Sequence, residues 1–378
     1  MENVNFDFQY KICFMIIREI TDYIEELAPL NYAEDFDNVG LLVGNYNTTV
    51  SGVLITLDTL EETIEEAISK KCNLIISFHP IIFSGLKKLN GNSYVERVVL
   101  KAIKNDIAIY ATHTALDNSS KGVSAKISDV LGLKNTSVLI PKKGIIKKLT
   151  TLVPPENVED LRISLFKAGA GNIGNYDNCS FSVHGEGSYR GNENSNPTIG
   201  KKGENHTEKE TQISLMYELK NEAAIIKSLQ KNHPYEEVAY EITTTENIHQ
   251  NIGMGMIGEL PAEMNEKDFL LFLKNKMKTA CIRHSNFIHK KIKKVAVLGG
   301  AGSFAISNAK KAGADAYVSA DFKYHEFFKA ENKIILADIG HYESEQFTKS
   351  LLVDYLTKKF SNFAVILSEK STNPIYYI

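Results

Sequence analysis

The sequence predicts an α/β protein, with a mainly parallel αβ core that is interrupted by a compact α+β insertion. Three observations support this prediction. Short apolar strands alternate with helices in the first third of the chain, the alternation returns in the last third, and the pattern between them changes. With 378 residues, the chain is long enough for two or three domains.

The first third begins with an amphipathic helix at Met15 and continues as βα units. Apolar, β-branched segments predict buried strands, and segments with helical periodicity follow them. Strands are predicted at 52–58, 73–79 and 107–113, and helices at 59–72, 93–106 and 122–133. The last third has the same alternation of strands and helices. There, strands are predicted at 293–300, 315–321, 333–341 and 362–370, and helices at 303–313, 323–332 and 343–360.

The middle of the chain has a different order, β-α-β-β-α-β, which is the ferredoxin-like pattern. A Gly-, Asn- and Lys-rich stretch at 191–211 lacks apolar periodicity and predicts a long loop or hairpin tip. The segment "HPYEE" at 233–237 is either a ligand or metal contact or a Pro-bounded connection from helix to strand.

Composition excludes several classes of protein. The net charge of −3 does not favour nucleic acid or anionic membrane as a partner, and no run approaches 18 apolar residues. Four widely spaced cysteines indicate neither a disulfide framework nor a cysteine-zinc site, which fits a reducing cytoplasm. No signal peptide is evident, and we expect residues 1–14 to be an extension or the result of a misassigned start codon.

Polar side chains stand at the carboxyl ends of the predicted strands, where sites form in open α/β sheets. These side chains are Asp58, His79, His113, Asp321 and His341. His113 and Asp117 are four residues apart, and so are His341 and Glu345. The latter two share one face if a helix begins at His341.

Imidazole and carboxylate are the ligands that zinc, manganese and iron prefer, so a fold that joins these pairs would create a polynuclear metal site. Each residue also has an alternative interpretation as a purely structural residue. His79 could be a satisfied core histidine, Asp117 a helix cap, His341 and Glu345 an exposed pair, and Asp37 a turn residue.

A glycine-rich segment between a predicted strand and helix offers a different interpretation. Gly300, Gly302 and Ala305 fit G-x-G-x-x-A, and Asp321 follows 21 residues after Gly300, which matches the dinucleotide-binding fingerprint. The alternative is a tight turn whose backbone N–H groups approach a substrate phosphate.

Six segments resemble the NIF-three-like dinuclear metal family, the type 2 GTP cyclohydrolase I homologues. They are "EDFDNVGLLVG" (34–44), "SFHPIIFSG" (77–85), "ATHTALDNSSKGV" (111–123), "LGGAGS" (298–303), "SADFKYHE" (319–326) and "ADIGHYESE" (337–345). The insertion, with "AGAGNIGNY" and "NHPYEEVAYEI", resembles the PII- or CutA-like domain of longer members. The resemblance implies a first core lobe at 1–143, an inserted domain at 144–250, a second core lobe at 251–378 and a toroidal homohexamer.

The resemblance also implies one or two divalent ions (zinc, manganese or iron) per chain. One would be held by His79, Asp117 and Glu345, and the second by His341 with Glu345 bridging. The commoner pattern of the family has a second imidazole just before His79, where this chain has Phe78, which cannot bind a metal. Further candidate ligands or supporting residues are His113, His325 and Asp321.

Three functions remain open from the sequence. The first is a hydrolase that attacks a nucleotide or related small molecule with metal-activated water. The second is a non-catalytic metal-binding or regulatory scaffold, and the third is a nicotinamide-dependent oxidoreductase.

Overall fold

The computed structural model describes residues 15–378, so the expectation for residues 1–14 lies outside the described residues. The chain forms two compact units. We call the first the core unit, which combines the chain up to Ile140 with Gly253–Ile378. The second, Pro141–Ile252, is the inserted unit. No helix within residues 15–378 combines the length and apolar character that a bilayer span requires.

The α/β class is confirmed, because strands and helices alternate through both parts of the core unit. The helices are α1 Ile17–Leu27, α2 Glu61–Ser69, α3 Tyr94–Lys104, α4 His113–Asp117, α5 Val123–Leu131, α6 Val158–Lys167, α7 Glu222–Asn232, α8 Glu266–Lys276, α9 Ile306–Lys311, α10 His341–Glu345 and α11 Thr348–Lys359. Short 3₁₀ segments lie at Leu30–Tyr32, Pro155–Asn157, Leu219–Asn221, Ser303–Ala305 and Tyr324–Ala330.

The strands form three sheets. They are β1 Gly40–Val43, β2 Val53–Thr56, β3 Leu74–Ser77, β4 Ala108–Ala111, β5 Lys134–Pro141, β6 Ile146–Val153, β7 Phe181–Arg190, β8 Asn205–Glu218, β9 Tyr240–Thr244, β10 Gly253–Met264, β11 Arg283–His284, β12 Ile292–Ala301, β13 Ala316–Ala320, β14 Ile335–Asp338 and β15 Val365–Leu367.

The first sheet of the core unit has five strands in the order β1-β4-β3-β2-β15. Strands β4, β3, β2 and β15 run parallel, and β1 is antiparallel to β4 at the edge. The last strand of the chain therefore completes this sheet, with Val365 opposite Val53.

The second sheet has six strands in the order β11-β14-β13-β12-β10-β5. Its central pairs, β12 with β13 and β13 with β14, are parallel, whereas β10 and β11 pair antiparallel with their neighbours β12 and β14. Strand β5 comes from the first part of the chain, so the two sheets exchange strands and do not divide the chain at one point.

Both sheets of the core unit bury one face in a shared apolar core, because side chains along a strand point alternately to opposite faces. In β2, Val53 and Ile55 face this core, together with residues of α1, α5, α8 and α11, whereas Leu54 faces outward against α2 and α3. The outer face of the second sheet packs against α9 through Ile306 and Ala309.

The inserted unit follows the element order β6-α6-β7-β8-α7-β9, and its sheet order is β7-β8-β6-β9, with antiparallel pairs throughout. It has an apolar core of its own, built from residues such as Leu149, Leu161, Leu165, Ile213 and Leu229.

The prediction of a long loop or hairpin tip over 191–211 holds for 191–204, which connect the paired strands β7 and β8, but its end is wrong, because β8 already begins at Asn205. Residues 205–211 pair with the second half of β7 although most of their side chains are polar. A strand with both faces largely in solvent has no apolar alternation, so the sequence pattern did not indicate it.

Candidate metal centre

Three histidines follow directly on strand ends of the core unit. His79 lies two residues after β3, His113 begins α4 after β4, and His341 begins α10 after β14. Because α10 starts at His341 and ends at Glu345, the two residues share one helix face, as their spacing indicated. The carboxyl ends of strands from both sheets thus supply the site.

The side chains of His79, His341 and Glu345 converge. Their ligand atoms all lie within 4.8 Å of one another. Nε2 of His79 is 3.1 Å and Nε2 of His341 is 3.2 Å from the same carboxylate oxygen, Oε2 of Glu345. A tetrahedral zinc ion with ligands at 2.0–2.2 Å separates its ligand atoms by about 3.3 Å. The three residues therefore lie close enough together to hold a metal ion.

Oε2 of Glu345 supports the same conclusion. Among the described residues, this buried oxygen has no hydrogen bond, because the two imidazole nitrogens are close but not aligned as donors. The charged imidazoles stabilise this carboxylate, but a buried oxygen without an aligned donor keeps unused acceptor capacity. A cation between the two nitrogens and this oxygen would satisfy it.

Each of the three histidines is held by an aspartate through the other ring nitrogen. Nδ1 of His79 lies 2.8 Å from Asp58, and Nδ1 of His341 lies 2.7 Å from Asp321. Such carboxylate–histidine pairs orient the ring and leave Nε2 to bind a metal. Asp321, which the sequence indicated as a further ligand or substrate contact, lies behind His341 in this arrangement.

The third pair joins His113 to Asp37, with Nδ1 2.7 Å from the carboxylate oxygen. Asp37 also accepts a hydrogen bond from the backbone N–H of Thr114 at 3.0 Å and one from its hydroxyl group. Asp37 therefore positions His113 and is more than a turn residue. His113 has a φ of +25°. Such strained backbone is concentrated at functional sites.

His113 and Asp117 line the same cavity as His341 and Glu345, with a volume of ≈190 Å³. Burial and the neighbouring carboxylate of Glu345 raise the pKa of Asp117 well above its usual value. Both carboxyl groups line one cavity, and burial with the charge of Glu345 favours the protonated form of Asp117, whereas a bound divalent cation would favour its ionised form.

The imidazoles carry positive charge in the metal-free protein. Burial opposes protonation of His79, but the contacts with Asp58 and Glu345 outweigh it and raise the pKa to about 9. The same balance, with Asp321 and Glu345, raises the pKa of His341 to about 10. Burial also opposes ionisation of Glu345, but the two imidazoles lower its pKa to about 2.

Phe78 is fully buried, and its ring centroid lies 4.9 Å from that of His79 and 5.6 Å from that of His113. It packs where the commoner pattern has an imidazole. His325 is exposed on the 3₁₀ segment Tyr324–Ala330, contacts the rings of Tyr324 and Phe328, and is not among the residues that line the cavity.

The glycine-rich segment lies against the metal ligands. A Cβ atom on Gly300 would come within 2.4 Å of Oε1 of Glu345, and the φ of Gly300 is +69°. The N–H group of Gly300 donates to the hydroxyl of Ser344 at 2.8 Å. The close approach of β12 to α10 thus accounts for this glycine without a dinucleotide.

Comparison with known proteins agrees with these motifs. The family model described as Duf34/NIF3 (NGG1p interacting factor 3) matches residues 15–374. The chain is 38% identical over 368 residues to the "GTP cyclohydrolase 1 type 2 homolog" of Bacillus subtilis strain 168, covering 96% of this chain and 98% of that relative. The protein of the same name in Staphylococcus epidermidis RP62A is 33% identical over 369 residues, covering 96% of this chain and all of that relative.

Two solved structures cover nearly the whole chain. A Bacillus cereus protein related to NIF3 is 35% identical with a TM-score of 0.79, covering 97% of this chain and 100% of that one. Staphylococcus aureus protein SA1388 is 30% identical with a TM-score of 0.75, covering 96% and 99%. The chain with this histidine–carboxylate centre belongs to the DUF34/NIF3 family.

Proposed function

We propose that the protein binds a divalent metal at His79, Asp117, His341 and Glu345 and uses it to hydrolyse a nucleotide or a related small molecule. The observation that carries this proposal is the buried Oε2 of Glu345, which has no aligned hydrogen-bond donor and lies between two imidazole nitrogens. The names of the relatives, which refer to GTP cyclohydrolase 1, support a nucleotide as the substrate class.

The residues of the chain would prepare the site for this chemistry. A divalent cation supplies Lewis acidity, which lowers the pKa of water from 15.7 to about 7. Asp58 and Asp321 engage Nδ1 of the two imidazoles, which leaves Nε2 of each to hold a cation, and Glu345 would supply negative charge from a buried position. The enclosed cavity limits the access of bulk water.

Exposed phenylalanines at the cavity favour a substrate with a flat ring. Phe36 is 67% and Phe304 is 55% exposed, and both line the cavity with the metal residues. The ring of Phe83 lies 6.4 Å from that of Phe36 and 6.2 Å from that of His113. Stacking of a base on an aromatic side chain contributes about 1–3 kcal/mol. A nucleobase would therefore be held beside the cation.

We further propose that the inserted unit is a ferredoxin-like, PII- or CutA-like domain, because its β-α-β-β-α-β order and sheet order β7-β8-β6-β9 match that pattern. The domain limits of 144–250 for this part, with core lobes at 1–143 and 251–378, belong to the same proposal. So do the homohexamer and the cytoplasmic location.

The proposal is tested with protein that has been stripped with a chelator and reloaded with zinc, manganese or iron. Elemental analysis should show at least one ion per chain, and Asp117→Ala and Glu345→Ala should each empty at least one site. His325→Ala is the matched control, because this histidine lies away from the cavity, and it should keep the metal. Unchanged metal in both ligand variants would contradict the assignment.

Turnover is measured with the same preparations on nucleotides and phosphoesters. We expect hydrolysis that needs the metal, is lost in Glu345→Ala and is retained in His325→Ala. Full metal content without turnover on any nucleotide or phosphoester would favour the alternative, a non-catalytic metal-binding scaffold.

A further inference from the structure

The inserted unit contains a cavity of its own, with a volume of ≈410 Å³. Ligand sites typically measure about 300–1,000 Å³. Two tyrosines, Tyr189 and Tyr235, line it together with apolar groups of Leu152 and Pro197. All of its lining residues belong to the inserted unit, so the metal centre contributes nothing to it.

A buried carboxylate, Glu210, stands in the wall of this cavity and is only 8% exposed. The hydroxyl of Tyr235 donates to Oε1 of Glu210 at 2.8 Å. Within residues 15–378, no other hydrogen bond and no cation is recorded for this carboxylate. A carboxylate accepts several hydrogen bonds, so Glu210 keeps acceptor capacity beside the cavity for a donor from outside the chain.

Gly187, on the neighbouring strand β7, makes room for the second oxygen of Glu210. A Cβ atom at Gly187 would come within 2.5 Å of Oε2. Gly187 also lines the cavity. A side chain at this position would cover the oxygen, whereas glycine leaves it beside the cavity.

The "HPYEE" segment fixes Tyr235. Nε2 of His233 donates to the carbonyl of Leu152 at 2.8 Å, and Nδ1 accepts the backbone N–H of Tyr235 at 3.2 Å. Burial and the carboxylate of Glu210 raise the pKa of the Tyr235 phenol, which keeps it a donor. The segment thus does more than connect α7 to β9, because it holds Tyr235 against Glu210.

The loop 191–204 closes another side of the cavity. The hydroxyl of Thr198 donates to the carbonyl of Pro234 at 3.0 Å, and the N–H group of Asn196 donates to Glu236 at 2.6 Å. The hydroxyl of Tyr189 donates to the carbonyl of Ile199. The segment with no apolar periodicity therefore forms part of a wall.

The charges around the cavity select against anions. Three carboxylates line it, those of Glu210, Glu236 and Glu237, against one guanidinium, that of Arg190. A phosphorylated ligand would meet net negative charge. A neutral or cationic ligand with N–H donors would complement it.

We propose that this cavity binds a flat nitrogen heterocycle that presents adjacent N–H donors, as the guanine ring does, with the donors on Glu210 and the ring against the tyrosines. A carboxylate accepts two neighbouring N–H groups in one plane, and aromatic side chains hold flat rings. The site lies outside the metal centre and does not depend on the function proposed for it.

The test titrates nucleosides into the full chain by calorimetry. In full chain stripped of metal by a chelator, where no cation supports binding at the metal centre, guanosine should bind with one site per chain. Inosine, which lacks the exocyclic amine, should bind at least about tenfold more weakly, because a hydrogen bond to a charged group is lost. Adenosine, which has no N–H at ring position 1, should bind no better than inosine, and GTP should bind more weakly than guanosine. No binding of guanosine at millimolar concentration, or equal binding of all four, would overturn the proposal.

Two isosteric variants locate the site. Glu210→Gln should weaken guanosine binding at least about tenfold. Glu237→Gln removes the same charge from an exposed position at the same cavity and should change it less than about twofold. Equal effects of the two variants would show that Glu210 acts only through its negative charge and not through a specific contact, which would overturn the proposal. Thermal unfolding checks that Glu210→Gln is folded. If this variant does not fold, the comparison of the four ligands on the unmodified chain still tests the proposal.

Glu345→Ala separates this site from the metal centre. Guanosine binding should persist in Glu345→Ala and after chelation. Binding that is lost in Glu345→Ala and kept in Glu210→Gln would place the nucleoside at the metal centre and contradict the proposal. If the metal experiments fail and guanosine still binds, the proposed function is contradicted and the nucleoside site is not.

Discussion

The three histidines around the candidate metal centre share one feature: the same ring nitrogen of each makes a hydrogen bond to an aspartate. In each ring, Nδ1 is paired with an aspartate, so Nε2 is the atom left for a cation. For His79 and His341, the charge on the ring then depends on whether a metal is present. The coupling between proton and metal is a property of these side chains and can be measured directly.

We predict that metal binding at pH 7 releases at least two protons. His79 and His341, with pKa values of about 9 and about 10, are protonated in the metal-free protein and must lose a proton to bind a cation. The released protons are counted by calorimetric titration of the metal in two buffers of different ionisation enthalpy. Release of clearly fewer than two protons would contradict these pKa values.

The same shifts set the pH dependence of the metal-free protein. Both imidazoles have pKa values above the 6.5 of an unfolded chain, so their contribution to stability is fully present below about pH 6.5. It is lost as the pH rises through about 9 to 10. Thermal unfolding of chelated protein should therefore occur at lower temperature at pH 10 than at pH 7, and the metal-loaded protein should show a smaller change.

The position of Phe78 predicts unequal metal sites. Without an imidazole there, the second ion would rely on His341 and the shared Glu345, so one equivalent should bind tightly and one weakly after mild chelation. Phe78→His should raise occupancy of the second site but cost about 3 kcal/mol of stability, because the ring is fully buried. Phe78→Leu, which adds no nitrogen, should lose stability without gaining metal. Two equally tight equivalents in the unmodified protein would show that another residue, His113 first, replaces the missing imidazole.

At the scale of elements, the end of β12 and helix α10 form one unit around Glu345. Gly300→Ala should lower metal affinity at least about tenfold, because the new Cβ would displace Oε1 of Glu345. Gly313→Ala is the matched control, since Gly313 has a similar φ of +74° with nothing within 4 Å of the added Cβ. Both variants should lose about 1 kcal/mol to backbone strain, but only the first should lose metal.

A fluorescence titration with NADH on the same variants tests the dinucleotide interpretation. We expect no saturable binding to the unmodified protein. Tight binding that is abolished by Gly300→Ala would favour the oxidoreductase instead.

Local pattern predicted the elements well where burial is periodic. Strands β2, β3 and β4 and helices α3 and α5 lie within the predicted segments, because their apolar residues face the core. The predicted helix 343–360 is wrong in its extent. It is two helices, α10 and α11, and the polar residues near the break kept a helical pattern across it.

Pairings between distant segments could not be read from spacing. Asp58 was noted at a strand end, but nothing along the chain showed that it holds His79, or that Asp37 holds His113. The antiparallel edge strand β1 and the exchange of β5 and β15 between sheets depend in the same way on tertiary contacts. The convergence of His79, His341 and Glu345 was indicated by the family motifs, whereas the free oxygen of Glu345 and the Glu210 cavity required coordinates.

At the scale of the whole molecule, the insertion enters and leaves the core unit at adjacent points. The N–H group of Lys142 donates to the carbonyl of Ile252 at 2.8 Å, and β5 and β10 are neighbours in the six-stranded sheet. A few Gly and Ser residues between Ile140 and Gly253 would therefore close the core unit after deletion of the insertion.

We predict that residues 141–252 fold alone and that the deletion protein keeps its metal. The inserted unit has its own apolar core, and all four proposed ligands belong to the core unit. Circular dichroism and thermal unfolding test whether the isolated insertion folds, and elemental analysis measures the metal content of the deletion protein. A deletion protein that loses all structure would show that the insertion is part of the core.

The pairing of β15 with β2 has a consequence for biosynthesis. Strand β2 leaves the ribosome early, but its partner at Val365–Leu367 is made long after it. Until then β2 presents an unpaired, apolar edge, which is a template for association with other chains. The inserted unit needs no residues after Ile252 for its apolar core, so it can fold before the core unit is complete. Chains that terminate before Glu345 should therefore contain a folded insertion, bind no metal and accumulate as aggregates, which pelleting of truncated products would reveal.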